Sequence, residues 1–247
     1  SQSTLISTQA QISGEILMHS QRIGKAAPNA IYGKPAAFSQ LDESQKTINA
    51  NLNILLNGGD YKGRSIAKPS SDVEPILKST KVAWANSNKA ATTIAKTKKE
   101  LAGFREDLES MNLLSPTLES LTSDISTKEV QGGASPQAIF ASGQLVMLTQ
   151  RLARSASEFM TPEGINPEKA FLLGKDANTF YELVEGFLNG SEINKLAAVK
   201  DPSIRALLVE LQKTFADYRK NVDSILAKNN EFIEEKKSEQ LIFNENE

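Results

Sequence analysis

Gly14-Glu-Ile-Leu-Met18-His-Ser-Gln21-Arg22-Ile-Gly-Lys25 recurs, 129 residues later, as Gly143-Gln-Leu-Val-Met147-Leu-Thr-Gln150-Arg151-Leu-Ala-Arg154. Both copies read glycine, any residue, two apolar residues, Met, any residue, Ser or Thr, Gln, Arg, apolar, small, basic. A repeat at this distance fixes the unit of structure before any fold is assigned. It also bears on function. A buried core demands apolar periodicity only, and gives no reason for Gln-Arg to return at the same place.

Outward from the motif the repeat continues. Leu41, Gln45, Ile48, Leu52 and Leu55 align with Leu173, Ala177, Phe180, Val184 and Phe187 at an offset of 132, and both runs stop at Leu-Asn-Gly, 56–58 and 188–190. A third segment aligns Val73, Leu77, Thr80, Trp84, Ala91, Ile94 and Leu101 with Ile204, Leu208, Leu211, Phe215, Val222, Ile225 and Phe232 at an offset of 131. The offset changes only in connectors, where tandem copies of one fold tolerate insertions. The chain therefore divides into two modules, 1–131 and 132–247, with the break in Gln-Gly-Gly-Ala-Ser at 131–135.

Every strong periodicity is helical. Ile204, Leu208, Leu211, Phe215, Tyr218, Val222 and Ile225 alternate in steps of four and three, the spacing of a seam between packed helices. No sustained period of two occurs, so no strand is expected. Prolines and Asn-Gly stops bound helices near 3–28, 38–57, 72–112, 116–130, 136–160, 167–189 and 202–240. Asp201-Pro202 combines a capping side chain with a residue suited to the first turn. The fold class expected is all-α: two tandem elongated antiparallel bundles of the four-helix type, forming a rod. Seven helices is an odd count for chain ends that return to one side. One helix must be split, lie crosswise or run outside the bundle.

Composition narrows the function. With 247 residues, a net charge of −2 and pI about 5.7, the chain has no basic field for a phosphate backbone, and nucleic acid is not an expected partner. The absence of cysteine excludes disulfides, thiolate metal sites and thiol nucleophiles. Phosphate loops, nucleophile elbows and His-Glu-x-x-His spacings are missing too, so no catalytic residue, metal site or cofactor is expected. No apolar run is long enough to span a membrane. The start at Ser1 without Met reads as a piece excised from something longer.

On the first motif helix Ile12, Ile16, His19 and Ile23 form the core stripe, as do Ala141, Leu145, Leu148 and Leu152 on its counterpart. Gly14, Met18, Gln21 and Lys25 form a second stripe about 200° away, matched by Gly143, Met147, Gln150 and Arg154, with Arg22 and Arg151 flanking. Two organised faces imply two partners: the helix's own bundle and something else. Gly14, Met18, Gln21, Arg22, Gly143, Met147, Gln150 and Arg151 are therefore the candidate ligand or dimer surface. If the Gln-Arg pairs serve that surface, replacing them should leave melting nearly unchanged. His19, whose counterpart is Leu148, reads as a satisfied core histidine, and Trp84, matched to Phe215, as core.

At Met18-His-Ser-Gln21-Arg22-Ile and Met147-Leu-Thr-Gln150-Arg151-Leu the chain resembles the N-terminal domain of type IV pilus methyl-accepting chemotaxis transducers, the PilJ-type sensor domain. The resemblance implies tandem sensor domains in the periplasmic part of an inner-membrane receptor. It also implies a homodimer paired through the motif helix, and flanking transmembrane helices absent from this stretch. Signals would pass by helix shifts to a cytoplasmic chemotaxis output, with a pilus subunit or a small molecule as stimulus. Nitrate-sensing relatives carry Arg immediately before the motif Met. Leu17 and Val146 stand there in this chain, while Arg22 and Arg151 remain as arginines that could hold an anion. A structural helical spacer or adhesin stalk is the alternative reading.

Overall fold

The fold was described from a computed structural model covering residues 2–30, 33–68, 74–162 and 164–245. It is an all-α protein. Among the described residues there are six helices: α1 (Gln2–Ala30), α2 (Pro35–Asn57), α3 (Glu74–Gln131), α4 (Pro136–Glu158), α5 (Pro167–Asn189) and α6 (Pro202–Glu245). The expected start of the third helix at 72, and Val73 of the repeat, lie outside the described residues.

The chain forms two compact units. Unit 1 holds α1, α2, α3 as far as Leu101 and α6 from Glu234; unit 2 holds α3 from Ala102, α4, α5 and α6 as far as Ile233. The turn at 131–135 lies within unit 2. Packed units and sequence copies are thus partitioned differently, because α3 and α6 each contribute to both units.

Two expected helices, 72–112 and 116–130, are one. Pro116 lies inside α3 instead of ending it. A mid-helix proline removes one hydrogen bond and costs about 3 kcal/mol or more in general. Here Phe104, Met111, Leu118 and Ile125 keep a strict seven-residue seam across the proline, while Pro116 and Asn112 lie on the exposed side. The carbonyl deprived of its partner can be hydrated there, and the buried seam holds the helix together. Merging the two segments removes the odd helix from the count.

Helix ends follow their local chemistry. Ser135, Asn166 and Asp201 each accept hydrogen bonds from backbone N–H groups of the first turns of α4, α5 and α6, and each is followed by proline. Two hydrogen bonds from Ser203, its hydroxyl and its backbone N–H, and one from the Ile204 N–H hold the Asp201 carboxyl below the usual range. Gly58 closes α2 at φ 76°, where an added Cβ would lie 2.7 Å from the Ile66 carbonyl oxygen. Only glycine fits that turn.

Strands do occur, contrary to the sequence-based expectation. β1 (Gly59–Tyr61) pairs antiparallel with β2 (Arg64–Ile66), joined by Lys62 and Gly63, both with positive φ. That is the two-residue turn whose twist suits a hairpin. A shorter pair, β3 (Met160–Thr161) and β4 (Gly164–Ile165), connects α4 to α5.

The two cores differ in content. In unit 1 the inward seam of α3 runs Ala83, Ser87, Ala90, Ile94, Thr97 and Leu101, facing a core that includes Ile16, Ile23, Leu41 and Ile48. Trp84 is one position off this seam and is 50% exposed, which corrects its assignment to the core. In unit 2 Phe104 packs against Phe159 and Phe232, and Phe180 against Phe215, with ring centroids 4.3–5.9 Å apart.

Candidate functional site

On α1 the core stripe Ile12, Ile16, His19 and Ile23 is buried, and so is Ala141, Leu145, Leu148 and Leu152 on α4. Rotation by half a turn brings the other stripe to solvent. Gly14, Met18, Gln21 and Lys25 are exposed, and so are Gly143, Met147, Gln150 and Arg154. Leu17 extends the first stripe at 60% exposure and Phe140 the second at 68%. All eight candidate residues thus lie on or beside an exposed face of their helix, four on each.

A Cβ built on Gly14 or Gly143 would meet nothing within 4 Å. Neither glycine is required by packing inside the chain. Each nevertheless sits mid-helix, where glycine costs about 1 kcal/mol relative to alanine.

The flanking arginines differ. Arg22 lies 3.8 Å from Glu43, an open pair between two exposed side chains. Arg151 grips Asp176 with two donors, Nε to Oδ2 at 3.2 Å and Nη2 to Oδ1 at 2.8 Å, and that carboxylate is almost fully buried. Bidentate geometry with a buried partner is far stronger than a surface ion pair. The expectation that replacing Gln-Arg leaves melting unchanged therefore fits Gln21-Arg22. It does not fit Arg151, whose guanidinium neutralises a buried charge.

Position 176 aligns with Ser44, and Ser44 meets the residue that distinguishes the first copy: His19 Nδ1 lies 3.0 Å from Ser44 Oγ, in the core. His19 is a satisfied core histidine, as its stripe suggested. Sequence reading missed Asp176. The available signal was a carboxylate three residues after Leu173, on a face that is otherwise apolar.

A second polar cluster ties the β1–β2 hairpin to α1 beside the first motif. Glu15 accepts hydrogen bonds from Lys62 at 2.7 Å, from Asn51 at 3.0 Å and from the Tyr61 hydroxyl. Burial alone would raise the Glu15 pKa, but hydrogen bonds from Lys62, Tyr61 and Asn51 outweigh it and hold the group at about 2. Burial and the bond to Glu15 push the Tyr61 phenol up. None of these residues was singled out by motif, because the contacts span 36–47 residues. Among the described residues no cluster of acidic or imidazole side chains could hold a metal, and no helix is long and apolar enough to cross a membrane.

The sequence profile of the PilJ family, the N-terminal region of type IV pili methyl-accepting chemotaxis transducers, matches residues 2–106 and again 131–240. The chain belongs to the PilJ family. The first match begins at the first residue of α1 and the second five residues before α4. Curated relatives include the protein PilJ of Pseudomonas aeruginosa, 21% identical over 93% of this chain and 33% of the relative. A putative methyl-accepting chemotaxis protein, AlkN of Alcanivorax borkumensis, is 24% identical over 93% of this chain and 32% of its own length. The chain spans about a third of the length of these relatives. PilJ-family proteins are signalling transducers, not enzymes.

Proposed function

We propose that the chain is the extracytoplasmic sensory part of a type IV pilus chemoreceptor, with 1–131 and 132–247 as two PilJ-type modules. It lies in the periplasm, flanked in the full receptor by transmembrane helices, and pairs with a second copy along the exposed faces of α1 and α4. A stimulus, either a pilus subunit or a small molecule, shifts the paired helices and so changes the cytoplasmic output. Packed helices at dimer interfaces move by such small steps. With Leu17 and Val146 before the motif Met, and Arg151 committed to Asp176, nitrate held by arginines of this face is not the expected stimulus.

The observation that carries this reading is the pair of matched mid-helix glycines beside exposed Met and Gln, where an added Cβ would meet nothing within 4 Å among the described residues. Glycine admits close approach of another backbone, and methionine adapts its surface to a partner.

Gly14→Leu combined with Gly143→Leu tests it in the full receptor. The added Cβ atoms meet nothing within 4 Å, so melting should hold or rise slightly. Between paired helices they would clash, and receptor output should change. Unaltered output with an unaltered melt would leave the spacer or stalk reading in its place.

A further inference from the structure

Each unit has a groove in the same place. In unit 1 it lies between α2 and α3, where Leu52, Asn53, Leu56, Lys81 and Trp84 enclose about 370 Å³. In unit 2 it lies between α5 and α6, where Tyr181, Val184, Glu185, Phe215 and Arg219 enclose about 290 Å³. At the repeat offsets Leu52 corresponds to Val184, Asn53 to Glu185, Lys81 to Gln212 and Trp84 to Phe215. The groove is thus a property of the repeated helix pair, and the side chains decide what fills it.

In unit 2 the side chains lining the groove are tied to one another. Arg219 lies over the Tyr181 ring at 4.9 Å and donates to the Asn178 side chain. Gln212 donates to Glu185 at 2.6 Å, and Phe215 is buried in the core. The opposite charges of Glu185 and Asp223 balance Arg219 and Lys220 along the lining.

Unit 1 lacks each of these devices. Asn49 stands in place of Tyr181 and Asn88 in place of Arg219. Trp84 is half exposed where Phe215 is buried, and Leu56 is 44% exposed at the rim. Among the described residues Lys81 is the one charged side chain in the lining. The volume, about 370 Å³, falls within the range of about 300–1,000 Å³ typical of small-molecule sites.

From this contrast we infer that the unit 1 groove binds a small monocarboxylate with an aromatic or branched aliphatic body. The apolar body lies against Leu52, Leu56 and the face of Trp84, and the carboxylate meets the ammonium of Lys81. One cation and no anion among the described lining residues favour a single negative charge. A second carboxylate would be desolvated against leucine without a partner. This site is separate from the motif faces of α1 and α4, and its test reads binding without any receptor output.

Trp84 is the sole tryptophan, so its emission reports on this groove alone. Phenylacetate and its neutral amide are titrated against the chain while tryptophan fluorescence is followed. Phenylacetate should give a saturable shift at millimolar concentration or below. Lys81→Gln should weaken phenylacetate about three- to fivefold, as loss of an exposed charge pair does, and leave the amide unchanged. Asn88→Arg, which places at the repeat-equivalent position the arginine that lies over Tyr181 in unit 2, should weaken the response while the helical melt is retained. Absence of a saturable response to phenylacetate would overturn the inference. An equal response in Asn88→Arg, or equal loss of acid and amide in Lys81→Gln, would do so as well.

Discussion

Unit 1 and unit 2 are built on the same helical seams and both bury polar side chains, but differ in how many rings their cores hold. Unit 1 buries His19 against Ser44, Asn51 against Glu15 and the carbonyl of Ile12, and the whole of Lys236 against Thr97, with Glu100 3.6 Å away. Burial pushes the Glu100 carboxyl up against the pull of Lys236. Unit 2 buries rings: Phe104, Phe159, Phe180, Phe187, Phe215 and Tyr218. Its one deeply buried acid near the motif, Asp176, is neutralised by Arg151. Four-three spacing is thus met equally by rings or by hydrogen-bonded polar groups. What changes is how the interface resists sliding. Rings resist through packed volume, which has no cheap alternative arrangement. A polar layer resists through a few directional bonds, which are costly when broken and reform only in a set geometry.

The largest expected effect is on the aromatic side of that comparison. Phe180→Ala should destabilise by about 3–5 kcal/mol, through lost burial and a cavity. The matched Ile48→Ala should cost about 1 kcal/mol less, since no ring–ring contact is lost with it. Thermal or denaturant melts of the two variants check this, and a larger loss for Ile48→Ala would place the stronger packing in unit 1.

The motif arginines come next. Arg151→Ala leaves the Asp176 carboxylate buried without its cation, and removal of one partner of such a pair costs about 3 kcal/mol, toward the lower bound here because Arg151 is itself half exposed. Arg22→Ala should cost about 0.5 kcal/mol or less, as exposed substitutions do. Equal melts for the two would remove the distinction between the copies at this position.

A smaller effect should appear in acid. The Glu15 pKa lies at about 2 in the folded chain, below its ordinary value of 4.5. A carboxylate depressed by folding contributes stability that is complete above its unfolded pKa and is lost as pH falls toward the folded one. The contribution should therefore fade between pH 4.5 and about 2 and be missing from Glu15→Gln. Melting of the two proteins compared across that window checks the sign. Parallel pH profiles would detach the hairpin from α1.

The helices and the fold class were legible because four-three seams and Pro or Asn-Gly stops act over a few residues. Pro116 misled because the sequence does not show that its freed carbonyl faces solvent while the seam continues. The β1–β2 hairpin was missed because strands of three residues are too short to show a period of two. Its usable signal was Lys62-Gly63 between short flanks. Trp84 misled because alignment to Phe215 assumed equal helix rotation, whereas Ala83, Ser87 and Ala90 turn a smaller face inward. The motif face was legible, since exposure half a turn from a core stripe follows from helix geometry. Arg151–Asp176 was not, because its partners are 25 residues apart.

The sensory reading rests on α1 and α4 meeting their counterparts in a second receptor. Cysteines placed singly at Met18 and Met147 in the full-length receptor, in a membrane, test that pairing by disulfide cross-linking. The expected result is efficient cross-linking between protomers at both positions, with little at Phe171, which is exposed on α5. Cross-linking at Phe171 with none at Met18 or Met147 would contradict it and take the seam away from the motif helices.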